Sequence, residues 1–179
     1  MHESVSDNIQ TTFSNCLSIY KETAILLKDA RMLMEESGHR CLQTTAAIAT
    51  QQSKSIESPE RWLTPYAGLY FESEDDATQV RGLGVHFVDA DFKPIQPLII
   101  TACFKLQTDE DGEALPFNRP GYLSEAWFNG SSRMVDEELV VEVKHNFTRG
   151  KVRSVHLEEV ADLDHLRTKI IEPLVQMSP

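Results

Sequence analysis

The sequence is poor in positive charge, in cysteine and in long apolar runs, and each shortage narrows the range of functions. Its 179 residues include 17 Lys and Arg against 28 Asp and Glu, which gives a formal net charge of -11. Such a surface repels a phosphate backbone, so we expect no nucleic-acid partner. No run approaches the roughly 20 apolar residues of a membrane span, and we expect no membrane association.

Only three cysteines are present, and they stand far apart at Cys16, Cys41 and Cys103. Their number is odd and none has the spacing of a metal site, so we expect separate, buried thiols in a reducing compartment. The first residues lack the basic and apolar regions of a secretory signal. The sequence therefore predicts a cytoplasmic protein.

The motifs of the common enzyme chemistries are also absent: there is no phosphate-binding loop, nucleophile elbow or zinc-protease helix. The stretch Arg81-Gly82-Leu83-Gly84 has two suitably spaced glycines, but it lies inside a strand pattern and lacks the third glycine and the helix that hold a pyrophosphate. We assign no catalytic residue, no metal and no cofactor. The absence of these motifs favours a protein that is not an enzyme.

What is present begins with a long helical pattern. Apolar residues recur at spacings of three, four and seven, which predicts a helix from about Ser6 to Glu36 with Gly38 as its stop. The stripe comprises Ile9, Phe13, Cys16, Leu17, Tyr20, Ala24, Leu27 and Met34. A second helix over about residues 40–52 and a polar connector complete an N-terminal helical arm, residues 1–58.

From Tyr66 the period changes from helical to alternating, which is typical of strands. No gap between the strands is long enough for a helix, so we expect an antiparallel meander of five or six strands. The predicted strands are 66–72, 80–88, 98–106, 122–128, 139–147 and 151–157.

A C-terminal helix is predicted from about Asp162, kinked or ended by Pro173. Residues 59–179 thus form a sheet with a C-terminal helix packed on one of its faces. With the N-terminal helices, the chain is predicted to be one compact domain of the α+β class.

The stretch GVHFVDADFKP places His86, Asp89 and Asp91 close together and raises the question of a metal or acid/base site. In a strand the side chains of His86 and Asp89 point to opposite sides, and only a bulge would bring them to one metal. Two aspartates before Lys93 and Pro94 are typical of a turn. We interpret the stretch as a hairpin corner.

The last two strands are predicted to form a hairpin whose three-residue loop contains Gly150. This register sets His145 opposite Val155, on the buried face, where a histidine is more often a hydrogen-bonded core residue than a catalyst. If His145 lined a pocket with Cys103 or His86, a thiol/imidazole pair would become possible. Burial of Cys103 in an apolar strand would raise its pKa, which argues against a reactive thiolate.

Two functions remain open. The first is a non-enzymatic binding or regulatory module that associates with a protein partner or with itself, as a homodimer. It is favoured because the helix at 6–36 carries more apolar surface than a small sheet needs. The candidate association residues are Phe13, Tyr20 and Leu27.

The second function is a small-molecule-binding domain or small enzyme with a pocket between sheet and helices. Aromatic side chains along the strands either fill the core or line a concavity for an apolar or planar ligand. The candidate ligand-binding residues are His86, Cys103, His145, Tyr70 and Trp127.

Overall fold

The structure is a computed structural model, which describes residues 5–42, 57, 63–89, 93–115, 139–141 and 147–179. An N-terminal helix is followed by an antiparallel sheet and a C-terminal helix. The predicted α+β class is therefore confirmed. No helix within the described ranges is long and apolar enough to cross a membrane.

Helix α1 extends over Val5–Glu36, as its continuous apolar stripe predicted. It ends where the N–H groups of Ser37 and Gly38 donate to the carbonyls of Met34 and Glu35, both at 3.1 Å. Gly38 has φ of 75°, the left-handed conformation that glycine adopts at little cost. The prediction that Gly38 ends this helix is confirmed.

The second predicted helix, about residues 40–52, is wrong at its start. His39–Cys41 is a strand, β1, which pairs antiparallel with β2 (Tyr66–Ser73). The reversal at Gly38 carries the chain straight onto the edge of β2, and a three-residue strand is too short to show alternation in the sequence. From residue 43 onward, the predicted helix lies outside the described residues.

The sheet has the strand order β1-β2-β3-β4-β6-β5, and all neighbouring strands in the described residues are antiparallel. The remaining strands are β3 (Gln79–Val88), β4 (Pro94–Leu106), β5 (Leu139–Val141) and β6 (Phe147–His156). The first four strands follow one another as a meander, whereas β5 lies outside β6. The predicted strand over 122–128 is outside the described residues.

The hairpin corner predicted between β3 and β4 is confirmed at both of its described ends. The N–H of Asp89 donates to the carbonyl of Lys93, and the N–H of Lys93 donates to Asp89 Oδ1, both at 2.9 Å. Pro94 nevertheless pairs with Val88 in the ladder, after a register shift that follows His86. This shift is the local irregularity that accommodates a proline at the start of a strand.

The predicted hairpin around Gly150 is wrong. Strand β6 continues through Gly150, which lies opposite Phe104 of β4. A Cβ atom at position 150 would stand 2.4 Å from Phe104 Cδ1, so this glycine permits close approach and does not form a turn. The link between β5 and β6 therefore falls within residues 142–146, which lie outside the described part of the chain.

The C-terminal helix, α2, covers residues 163–176. Its segments are an α-helical turn (Leu163–His165), a π-helical stretch (Leu166–Ile171) and a final α-helical segment (Glu172–Gln176). Asp162 caps its start, because Asp162 Oδ1 accepts a hydrogen bond from the N–H of His165 at 2.9 Å. The predicted helix start is confirmed.

Pro173 does not end α2, which continues to Gln176. In an α-helical register the missing N–H of Pro173 would have served the carbonyl of Lys169. That carbonyl instead accepts a hydrogen bond from Arg153 Nη1 of strand β6, at 2.8 Å. A side chain of the sheet thus replaces the donor that the proline lacks.

Alternate residues along the strands fall into two separate hydrophobic clusters, as the alternating pattern predicted. One cluster joins strand residues to both helices; it includes Leu27, Ala30, Leu33, Met34, Leu69, Phe71, Leu83, Val85, Ile99, Leu166, Ile170 and Leu174. The other cluster includes Tyr66, Tyr70, Val80, Leu98, Ile100, Phe104 and Val152.

Candidate functional site

The predicted ligand-binding residues are divided between the two faces of the sheet. Tyr70 pairs with Gly82 and His86 pairs with Tyr66, so Tyr70 and His86 lie on the same face. Cys103 pairs with Arg81, one position out of phase, and faces the other side. His86 and Cys103 are therefore not brought together as a thiol/imidazole pair.

His86 is 1% exposed, and its ring stacks on that of Tyr66 with centroids 5.2 Å apart and an interplanar angle of 17°. Burial disfavours the charged imidazolium and lowers the pKa of His86 to about 3. The ring is therefore neutral near pH 7. A general acid or base needs a pKa near the working pH, so this environment suits packing better than proton transfer.

Tyr70 and Cys103 are both fully buried. Burial raises the pKa of the Tyr70 hydroxyl well above its ordinary value, and burial is also the main reason that the pKa of the Cys103 thiol is raised. The Cys103 thiol lies 3.6 Å from Gln79 Oε1 as a weak donor. Both groups stay protonated near neutral pH, as the sequence predicted for the thiol.

Trp127 and His145 lie outside the described residues. Cys16, Cys41 and Cys103 are not joined by disulfides. No group of three or more His, Cys, Asp or Glu side chains among the described residues is arranged to hold a metal ion.

The three predicted association residues lie on the same side of α1 but differ in exposure. Phe13 is 66% exposed, whereas Leu27 is 3% exposed and packs in the cluster shared with the sheet. Tyr20 is half-buried, with its ring edge-on to that of Phe87 at a centroid distance of 6.1 Å. Leu27 is therefore corrected from an association residue to a core residue.

These residues belong to a seam with a seven-residue repeat along α1. One series is Phe13, Tyr20, Leu27 and Met34, and the other is Ile9, Cys16, Thr23 and Ala30. Such a repeat keeps both series on one side of a helix. We call residues 5–22 the outer half of α1 and residues 23–36 the inner half.

The seam is buried in the inner half of α1 and largely exposed in the outer half. In the inner half every seam residue is buried, from Thr23 at 6% to Met34 at 0% exposure. In the outer half Ile9 is 54% exposed, and Leu17 beside the seam is 58% exposed. No residue from 8 to 20 is charged, although the chain carries a net charge of -11. Residues 8–20 of the outer half therefore form an uncharged, partly apolar surface on an acidic protein.

A groove with a volume of about 460 Å³ lies between α1 and the segment that leads into α2. Its apolar lining comprises Ile19, Ile25, Leu26, Pro97, Leu157, Val160, Ala161, Leu163 and Leu166. Its polar lining comprises Ser18, Glu22, Thr23, Asp29 and Asp162. The volume falls within the range of small-molecule sites.

The sequence analysis missed this groove, because its two walls are more than 100 residues apart in the chain. It also missed Arg81, which is 7% exposed and caps the C-terminal end of α2. Arg81 Nε donates to the carbonyl of Leu174 at 3.1 Å, and Arg81 Nη2 donates to those of Val175 and Met177 at 3.2 and 3.3 Å. An arginine among the inward-facing positions of an apolar strand was the available signal.

Comparison with known proteins identifies no matching family model, no matching curated protein and no matching solved structure.

Proposed function

We propose that this protein is a non-enzymatic association module that acts through the outer half of α1 and forms a homodimer. One observation carries the proposal: the seam that is buried in the inner half continues into the outer half, where Ile9 and Phe13 are 54% and 66% exposed. Contiguous apolar surface of this kind marks interaction sites on soluble proteins.

The proposal includes an anchor for that surface, in which the inner half of α1 and the whole of α2 pack on one sheet face. The cluster that joins Leu33 and Ile170 to Leu83 of the sheet supports this arrangement. Arg81 supports it too, because it ties the end of α2 to strand β3 through three hydrogen bonds. If the inner half of α1 is packed rigidly in this way, it would hold the outer half in a fixed position relative to the sheet.

The surroundings of the ligand-binding candidates support a function without catalysis. His86 is buried and neutral near pH 7, and Cys103 faces the opposite side of the sheet. The acidic balance of the chain supports a protein partner over a nucleic acid. We also propose a cytoplasmic location, which the three separate thiols support.

Sedimentation velocity over a wide concentration range tests the proposal. We expect the wild-type protein to shift from monomer to dimer as concentration rises, and Phe13→Asp to remain a monomer. Thr11→Asp is the matched control, because it adds the same charge to an exposed position on the opposite side of the outer half. A wild-type protein that stays monomeric throughout, or a Phe13→Asp variant that dimerises like Thr11→Asp, would refute the proposal.

The groove of about 460 Å³ favours a second candidate function, the binding of a small apolar molecule. Titration with a neutral fluorescent probe, N-phenyl-1-naphthylamine, tests this function. Binding at the groove should be lost in Ile25→Asp and Leu163→Asp, which place a charge on its apolar lining, and kept in Phe13→Asp. A probe that does not bind the wild type, or binds all variants equally, would exclude the groove as its site.

A further inference from the structure

The outer half of α1 is complementary to a second copy of itself. In an antiparallel helix pair, two residues lie at the same level when their numbers have a constant sum. With a two-fold axis midway between Phe13 and Cys16, Phe13 of each copy meets Cys16 of the other, and Ile9 meets Tyr20. Each level then pairs a larger with a smaller side chain, as interdigitating packing requires.

We infer that the partner of this surface is a second copy of the chain, paired antiparallel through the outer halves with the two-fold axis between Phe13 and Cys16. The inference rests on the proposed function and adds the direction and register of the pairing. An isologous contact of this kind closes on itself and stops at a dimer.

The neighbouring registers are less favourable. A shift of one heptad toward greater overlap sets Phe13 opposite Thr23 and Ile9 opposite Leu27, but Thr23 and Leu27 are 6% and 3% exposed because they pack in their own subunit. A shift of one heptad the other way shortens the overlap. Of these three registers, the inferred one is the longest that places both Ile9 and Phe13 opposite residues that are not buried.

The polar side chains of the outer half lower the cost of burying it. The hydroxyl of Thr12, beside the seam, donates to the carbonyl of Asn8 at 2.8 Å. This hydroxyl proton is already bonded within the helix, so a partner need not supply an acceptor for it. No charge lies between residues 8 and 20, so contact along this stretch desolvates no ion.

The charge of the chain favours the antiparallel direction. Each copy carries a net charge of -11, and no charged residue lies between positions 8 and 20. A parallel pair would bring the remainders of the two acidic chains to the same end of the helix pair, whereas an antiparallel pair places them at opposite ends.

The size of the contact predicts a reversible dimer. Residues 5–20 form a helical stretch about 24 Å long and about 10 Å across. A contact strip of that size is about 240 Å² per partner, less than a third of the roughly 800 Å² that each partner of a standard stable interface buries. We therefore expect dissociation constants in the micromolar range, weakened at least about tenfold when Phe13 becomes Ser.

Disulfide capture with oxidised glutathione tests the direction and register. Phe13→Cys would bring its new thiol level with the native Cys16 of the other copy, and we expect a covalent dimer on non-reducing electrophoresis. In Phe13→Cys combined with Cys16→Ser, the two thiols at position 13 are offset by three residues and about 4.5 Å along the pair, too far for a disulfide across helices about 8–10 Å apart. Circular dichroism of each variant checks that α1 is intact.

The outcomes separate this inference from the proposed function. A covalent dimer that requires Cys16 supports the antiparallel register. Covalent dimers that persist without Cys16 would show that position 13 of one copy meets position 13 of the other and would overturn the inference. If Phe13→Cys gives no covalent dimer at a concentration at which sedimentation shows this variant to dimerise, the register is wrong and the proposed function stands. A wild-type protein that never dimerises overturns both.

Discussion

Replacement of Arg81 by methionine should strongly destabilise the fold, because it releases the end of α2 from strand β3. The side chain is 7% exposed and donates three hydrogen bonds to carbonyls at the end of α2. Those carbonyls carry the negative end of the helix dipole, so a guanidinium is well matched to them. Methionine keeps much of the apolar volume and removes all three donors.

The magnitude follows from the geometry. A hydrogen bond to a charged group contributes about 1.5–3 kcal/mol, but three bonds of 3.1–3.3 Å that share one guanidinium are not additive. We expect a loss of about 3–5 kcal/mol in the free energy of unfolding, which includes the cost of leaving buried carbonyls without donors. At an m-value of about 2 kcal/mol/M, the midpoint in urea would fall by about 2 M.

Equilibrium urea unfolding, followed by circular dichroism, is the assay. Arg153→Met is the matched control, because it removes another arginine that donates from the sheet to α2, with Arg153 Nη1 2.8 Å from the carbonyl of Lys169. We expect that variant to lose about 1–2 kcal/mol. If Arg81→Met lost less than about 1 kcal/mol with an unchanged m-value, Arg81 would not be an effective cap and α2 would need another anchor.

Two further predictions concern the sheet. Burial lowers the pKa of His86 from 6.5 to about 3, so the unfolded chain binds a proton that the folded chain excludes, and stability is lost as pH falls from about 6.5 to about 3. The free energy of unfolding, measured with urea at a series of pH values, should fall less steeply with decreasing pH in His86→Phe than in the wild type. The difference in slope should be up to about 1.4 kcal/mol per pH unit, and equal slopes would contradict a buried, neutral His86 ring. Gly150→Ala places a Cβ 2.4 Å from Phe104 Cδ1 and should cost about 1–3 kcal/mol in thermal or urea unfolding. An unchanged stability would show that Phe104 moves aside freely.

The elements with long repeats could be predicted from the sequence, and those that depend on distant partners could not. The stripe of α1 and the alternation around Leu83 gave the correct element and the correct face. Gly150 was wrongly predicted to form a turn, because a glycine between two apolar runs is typical of one. In the structure a glycine is required there because the ring of Phe104, on the neighbouring strand, leaves no room for a side chain. Strand β1 is only three residues long, so its pairing with β2 defines it more than its own pattern does.

The candidate site was predictable in part. The heptad spacing identified Phe13 and Leu27 as one stripe, but a repeat alone does not show which of its residues are covered by the rest of the protein. Residues at equivalent positions of the repeat, such as Phe13 and Leu27, therefore differ in exposure in a way that the sequence does not reveal. The groove beside Ile25 requires two segments far apart in the chain, and no local pattern marks it.

The continuity of α1 has a consequence for how the protein responds to binding. An isolated helix must first form a costly nucleus, and a stretch as short as the outer half is marginal in water on its own. In this chain the packed inner half supplies the nucleus, and the outer half grows from it turn by turn within one helix of 32 residues. Any contact that holds the outer half helical would then protect the inner half from fraying, so association and folding would share a single cooperative unit.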